Sequence, residues 1–231
     1  MKTFLSFRLW ILISMLLSCQ LLAAEGQQPR FKLMGMGDSI TEGDYNFSTY
    51  LYPLWKKLFD AGYQFDFVGP HFSNSPVGKL NHCGYRGKTA EFLASLSDSI
   101  CHIYKPDIVL LHAGHNHDAA EKPIEGIISS YKTIIASILR ANPQAYIFLA
   151  QVTPSGKLPK YAYIPELNRR IKELVKSYHS KNLVLVDMAT GHRWSTMTIE
   201  DKVHPNSLGS ERMANIWMKS LKKRIKRAPI R

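Results

Sequence analysis

Cysteine is scarce in this sequence, with three in 231 residues, one of them (Cys19) inside the first twenty. The remaining two, Cys83 and Cys101, give no framework of the kind that holds small secreted scaffolds together. They can pair across a loop in an oxidising compartment, or Cys101, within an apolar helical pattern, can stay a buried thiol. Acidic side chains are also few, 18 Asp and Glu against 30 Lys and Arg, a net charge of +12. That excess is uneven: residues 222–231 carry six basic side chains and no acid, half of it. Such a terminal run reads as a solvated tail, the alternative being contact with phosphates or a membrane surface, and no nucleic-acid partner is expected. Internal repeats, low-complexity segments and long linkers are absent, so one domain is expected over 26–225, followed by a basic tail at 226–231. Gly87-Lys88-Thr89 ends like a phosphate loop, but the glycine required five positions earlier is His82, which excludes nucleotide binding by that motif.

With 45% apolar and 21% charged residues, the chain can bury a core and is neither disordered nor collagen-like. Its start must be set aside first. Lys2 and Arg8 precede the apolar run from Leu9 to Leu17, which is short for a membrane span, and the chain turns polar at Glu25. Residues 1–24 therefore read as an export signal. Leu22-Ala23-Ala24 offers a cleavage site, while Leu16-Leu17-Ser18-Cys19 resembles a bacterial lipobox that would lipidate Cys19. Either places the protein outside the cytoplasm, secreted or in the cell envelope, with membrane contact only through a lipid anchor or the basic tail.

Beyond the leader, short apolar runs at 31–36, 65–68, 107–111, 145–150 and 183–186 predict five buried strands. Helical spacing fills the intervals, at about 50–61, 89–104, 164–180 and 207–225. The clearest helix has Ile124, Ile127, Ile128, Tyr131, Ile134, Ile135, Ile138 and Leu139 at intervals of three and four, opened by Pro123 and followed by Pro143. Strand and helix alternating in this way predict a three-layer α/β sandwich with a five-stranded parallel sheet. Long loops at 69–88 and 151–161 are expected to carry the binding site.

Gly37-Asp38-Ser39-Ile40-Thr41-Glu42-Gly43 follows the first strand, which sets a serine hydroxyl at the open edge of a parallel sheet, where it can be activated as a nucleophile. Asp201-Lys202-Val203-His204-Pro205-Asn206 precedes the last helix. An acid three residues before a histidine can fix its tautomer and stabilise the imidazolium. His112-Ala113-Gly114-His115-Asn116-His117-Asp118 follows the third strand, where the Asn116 amide can donate to a developing oxyanion. In Cys83-Gly84-Tyr85-Arg86-Gly87-Lys88-Thr89 the Gly87 N–H ahead of a helix can be a second donor, and the N–H of Ser39 a third.

These four blocks, in this order, resemble the SGNH hydrolase superfamily, also called GDSL-type esterases, over essentially the whole chain after the leader. The resemblance implies a flavodoxin-like sandwich, Ser39 as nucleophile, Gly87 and Asn116 completing the oxyanion hole, Asp201 and His204 as acid and base, and no cofactor or metal. Phe65-Asp66-Phe67-Val68-Gly69, His82 to Thr89 and His204-Pro205-Asn206 are similar to the acetylxylan-esterase-like carbohydrate esterases of family three, which implies an acylated carbohydrate or another small ester as substrate. Two positions depart from the family pattern. Arg86 stands where a small residue is usual, and His117 where the third block has aspartate. With Asp38 and Trp194 they are the candidate substrate contacts.

Other readings compete. His112, His115, His117 and Asp118 can be a divalent-metal site serving hydrolysis, or simply a polar wall. The same groups would serve a short-chain lipid or a thioester, and a non-catalytic carbohydrate- or envelope-binding protein can use the same scaffold. Among aromatics that invite sugar stacking, Tyr161, Tyr163, Trp194 and Trp217, the last falls on the apolar face of the final helix and is expected in the core.

Overall fold

The computed structural model describes residues 31–225 apart from 46 and 48. The predicted leader at 1–24, with Cys19, and the tail at 226–231 lie outside the described residues. Seven strands form one sheet in the order β3-β4-β1-β5-β6-β7, with β2 also on β1. They are β1 Phe31–Gly37, β2 Phe65–Phe67, β3 His71–Ser75, β4 Gly78–Gly84, β5 Ile108–His112, β6 Tyr146–Ala150 and β7 Leu183–Val186. All pairs are parallel except β3 with β4. β2 pairs with the start of β1 (Phe31↔Phe65) and β4 with its end (Gly37↔Gly84).

The helices are α1 Ser39–Glu42, α2 Leu51–Asp60, α3 Ala90–Tyr104, α4 Ile124–Ala141, α5 Ile164–Ser177, α6 Trp194–Met197 and α7 Ser207–Lys222. Side chains of successive strand residues point to opposite faces, which divides the core in two. Met34, Met36, Val109, Leu111, Ile147 and Leu149 pack with α3, α4 and α5. Leu33, Ile108, Leu110, Phe148 and Val186 pack with Leu51, Leu54 and Leu58 of α2 and Met213, Trp217 and Leu221 of α7. Trp217 is fully buried, its ring 5.8 Å from that of Tyr50, as its place on the helical face predicts. Caps stop and start these helices where the sequence marks them. The Thr89 side chain accepts from Phe92 N–H ahead of α3, and Asn206 accepts from Gly209 N–H ahead of α7.

The expected five-stranded sheet is thus corrected to seven strands. Residues 69–88, read as a loop, contain the β3–β4 hairpin, closed by Pro76 and by Gly78 at φ 99°. Its strands hold Ser73, Asn74, Ser75 and Asn81 instead of an apolar run, because an edge strand need not be buried on both faces. Cys83 and Cys101 are both free and buried. Burial raises both thiols, Cys101 to about 12, so neither is a reactive thiolate.

Candidate active site

Four chain segments converge at the carboxyl ends of β1, β4 and β5. The chain leaves β1 through Asp38, whose Oδ1 accepts Ile40 N–H at 3.0 Å and so caps the single turn α1 that starts with Ser39. The turn lies directly on the neighbouring strands: a Cβ on Gly37 would come within 2.2 Å of the His112 carbonyl oxygen, and one on Gly84 within 2.6 Å of the Glu42 nitrogen. Only glycine allows that approach.

Ser39 Oγ lies 2.7 Å from His204 Nε2. His204 Nδ1 is hydrogen-bonded to Asp201 Oδ2, and Asp201 Oδ1 accepts the N–H groups of Val203 and His204 at 2.9 Å each. This tight turn, with Lys202 at φ 63°, locks the carboxylate onto the imidazole. Burial opposes the Asp201 charge, yet the hydrogen bonds from the His204 side chain and from the backbone prevail and hold its carboxyl below the usual carboxylate range. The Phe47 ring stacks on His204 at 4.3 Å between centroids.

Asn116, at φ 68°, donates through Nδ2 to the Lys88 carbonyl at 3.0 Å. An amide nitrogen carries two hydrogens, so this bond pins Asn116 against the loop that holds Gly87 and leaves a second N–H. Gly87 sits at φ 68° with open space where a Cβ would point.

The four candidate substrate contacts fare differently. Asp38 is fully buried, so it is corrected from substrate contact to cap of the serine turn. Its Oδ2 lies 3.8 Å from His115 Nδ1. Burial raises its pKa, but the neighbouring His115 and His112 rings and the Ile40 N–H outweigh that and leave it below 3.8. Arg86 is likewise engaged: its guanidinium pairs with Asp44 and donates to the Gly43 carbonyl at 2.9 Å, while its N–H meets Glu42. It clasps the loop that carries Phe47, with the guanidinium 5.9 Å from that ring. His117 bridges Glu91 and Glu121 at 3.0 Å each, with little of its side chain exposed. Trp194 is 38% exposed and packs its ring on Gly156, where a Cβ would clash at 2.5 Å. It sits beside Lys202, one residue from Asp201.

The histidines of the third block do not converge as a metal site. His112 is buried and takes the Thr153 N–H on Nε2, His115 Nε2 meets the Thr153 carbonyl, and Asp118 caps a short 3-10 turn. Among the described residues no group of three His, Cys, Asp or Glu side chains is arranged to hold a metal ion. Tyr161 and Tyr163 are buried, and the Tyr163 hydroxyl donates to the Gly114 carbonyl at 2.7 Å, so neither is a stacking platform. Phe47 went unread because a lone aromatic in a loop has no periodicity to mark its orientation.

A parallel α/β sandwich with serine, histidine and aspartate hydrogen-bonded in series at its strand ends is the architecture of an acyl-ester hydrolase. Residues 36–212 match the model of the GDSL-like lipase/acylhydrolase family, and the chain belongs to it. A family 3 carbohydrate esterase from Talaromyces cellulolyticus superposes with a TM-score of 0.75 at 26% identity, over 84% of this chain and 97% of that one. A family 3 carbohydrate esterase from Clostridium thermocellum gives 0.72 at 26% identity, over 84% and 96%. A multidomain esterase of Ruminococcus flavefaciens is 26% identical over 223 residues, 84% of this chain but only 29% of that protein. The chain thus spans less than a third of that relative's length.

Proposed function

We propose that this protein is an exported serine esterase that removes O-acetyl groups from a carbohydrate. The observation that carries the reading is the 2.7 Å contact between Ser39 Oγ and a His204 ring whose other nitrogen is held by Asp201. His204 Nε2 takes the Ser39 proton as Oγ attacks the ester carbonyl, and Asp201 stabilises the imidazolium. The oxyanion is held by the N–H groups of Ser39 and Gly87 and the free N–H of the Asn116 amide. His204 then protonates the leaving alcohol, and water repeats the cycle to release the acid. The carbohydrate rests on the two family 3 esterases at 26% identity, and the export on the sequence of residues 1–24 alone.

The test is a chromogenic ester series, acetyl through butyryl to octanoyl, with wild type and Ser39→Ala, with and without chelator. Chelator-resistant acetyl preference that disappears in the variant is expected. Turnover surviving in Ser39→Ala would remove the mechanism, and a preference for long acyl chains would move the substrate to lipids.

A further inference from the structure

Phe47, which stacks on His204, also lines a cleft of about 700 Å³ that no step above uses. It lies between Glu42 to Tyr45 with Phe47, the β3–β4 hairpin and the start of α7, and is lined by Tyr45, Phe47, Tyr52 and Phe72 together with Ser73, Asn74 and Ser75. Its size is that of a ligand site.

We propose that this cleft binds the uncharged sugar units that neighbour the acetylated one. The inference rests on the esterase reading, because it uses the direction of the reaction. His204 returns the proton to the leaving alcohol, so the alcohol part of the ester lies on the His204 side of Ser39, and the acyl oxygen lies toward Gly87 and Asn116. Phe47 stacks on His204 and also lines the cleft, so the cleft opens one aromatic ring away from the leaving group. That is where the next units of a polymer would run.

The lining has the chemistry of sugar recognition. Tyr45 is 96% exposed and Phe72 47% exposed, apolar faces that water solvates poorly and that the C–H face of a pyranose can cover. The Asn74 amide and the Tyr45 and Tyr52 hydroxyls supply directional polar partners, while Ser73 and Ser75 donate to the Glu42 and Gly78 carbonyls. Charge then narrows the class. Although the chain carries +12, the residues lining the cleft include Glu42, Asp44 and Glu211 and no lysine or arginine. Asp44 is paired with Arg86 and Glu211 with Lys57, and Lys79 lies over the Phe72 ring without lining the cleft. With Asp44 and Glu211 already paired, the lining residues offer a uronate or a phosphate headgroup no free cation, and carboxylates among hydroxyls do not suit an alkyl chain.

The experiment compares kcat/KM for an acetylated neutral tetrasaccharide, the matching acetylated monosaccharide and nitrophenyl acetate. Wild type is expected to favour the tetrasaccharide over the monosaccharide by roughly tenfold, as one or two good aromatic contacts would give. Tyr45→Ala and Phe72→Ala should each lower the tetrasaccharide value by roughly three- to tenfold and leave nitrophenyl acetate within about twofold, with Phe72→Tyr restoring most of the loss. Both side chains are exposed, so neither substitution threatens the fold. An acetylated oligosaccharide containing uronates should gain nothing over the monosaccharide. Equal values for tetrasaccharide and monosaccharide, or variants that slow all three substrates alike, would overturn the proposal. Failure of wild type on every ester would instead refute the esterase reading. The cleft is then judged by calorimetric binding of the unacetylated tetrasaccharide to Ser39→Ala protein: binding abolished by Phe72→Ala upholds it, and absence of binding overturns it.

Discussion

Replacing Asp201 by asparagine changes one atom of the site and leaves its shape, which makes the consequence calculable. Asp201 Oδ1 accepts two backbone N–H groups at 2.9 Å, and Oδ2 meets His204 Nδ1. In the variant the amide has one oxygen for two tasks. If the oxygen keeps the backbone bonds, the NH2 faces His204 Nδ1, forces the proton onto Nε2 and leaves no lone pair to receive the Ser39 proton. If the amide turns over, the imidazole regains its tautomer but two backbone bonds are lost, at about 1 kcal/mol each, so the working arrangement is roughly thirtyfold less populated. The negative charge is gone in both cases. Two unit charges about 4 Å apart at an effective dielectric constant near 20 attract by about 4 kcal/mol, an upper figure here because both side chains are partly exposed. The two effects together slow turnover by roughly a thousandfold to ten-thousandfold, in line with the same exchange in other serine hydrolases.

The assay is initial-rate hydrolysis of an acetyl ester, paired with a thermal melt. The backbone bonds to the retained oxygen should keep Tm within a few degrees, on the order of 1 kcal/mol of stability. A variant that stays folded and keeps kcat within about tenfold of wild type would refute the assignment of Asp201 as the group that orients His204.

Asn116→Ala should lower kcat by roughly a hundred- to a thousandfold, the effect of losing one oxyanion donor, and an unchanged kcat in steady-state assays would remove Asn116 from the hole. Burial lowers His82, His112 and His192 to about 4 from 6.5. Between those values the unfolded chain binds protons that the folded chain refuses, so stability falls as pH drops through that window. Asp38 and Asp201, held below 3.8, keep contributing until the pH falls further. Urea midpoints should therefore decline from about pH 6.5 to 4, and a flat profile would contradict the burial of these rings. Gly84→Ala, with its Cβ 2.6 Å from the Glu42 nitrogen, should lower Tm by roughly 5–10 °C in a calorimetric scan, because backbone cannot move aside. Arg86→Ala removes the clasp on Gly43 and Asp44 and should raise KM more than it lowers kcat, which Michaelis–Menten curves on an acetyl ester will separate.

Where burial sets the pattern, the fold was legible. Ile108 to Leu111 is buried on both faces, so it must be continuously apolar, and Ile124 to Leu139 buries one helical face, so it must be periodic. The hairpin at His71–Ser75 and Gly78–Gly84 was not legible, because half of it is exposed and its strands are held by backbone bonds that leave no trace in side-chain type. The one-turn helices Ser39–Glu42 and Trp194–Met197 are too short for any period to show.

The site divides along the same line. The groups proposed for the chemistry, Ser39, Asn116, Asp201 and His204, must each be one residue type and so announce themselves by type and order. Residues that hold those groups in place do not, because many types can do that work. Arg86 and His117 are singled out in the sequence as candidate substrate contacts because they depart from the family pattern. Each is instead spent on acids of this chain, Arg86 on Asp44 and His117 on Glu91 and Glu121. A charged residue such as Arg86 that replaces a small one near a site needs a counter-charge before it can be ordered, and Asp44, in a loop distant in sequence, supplies it. The unusual residues therefore mark where loops are fastened. The surface we propose for the substrate, the aromatic and hydroxyl-lined cleft next to Phe47, is one that no single position in the sequence advertises.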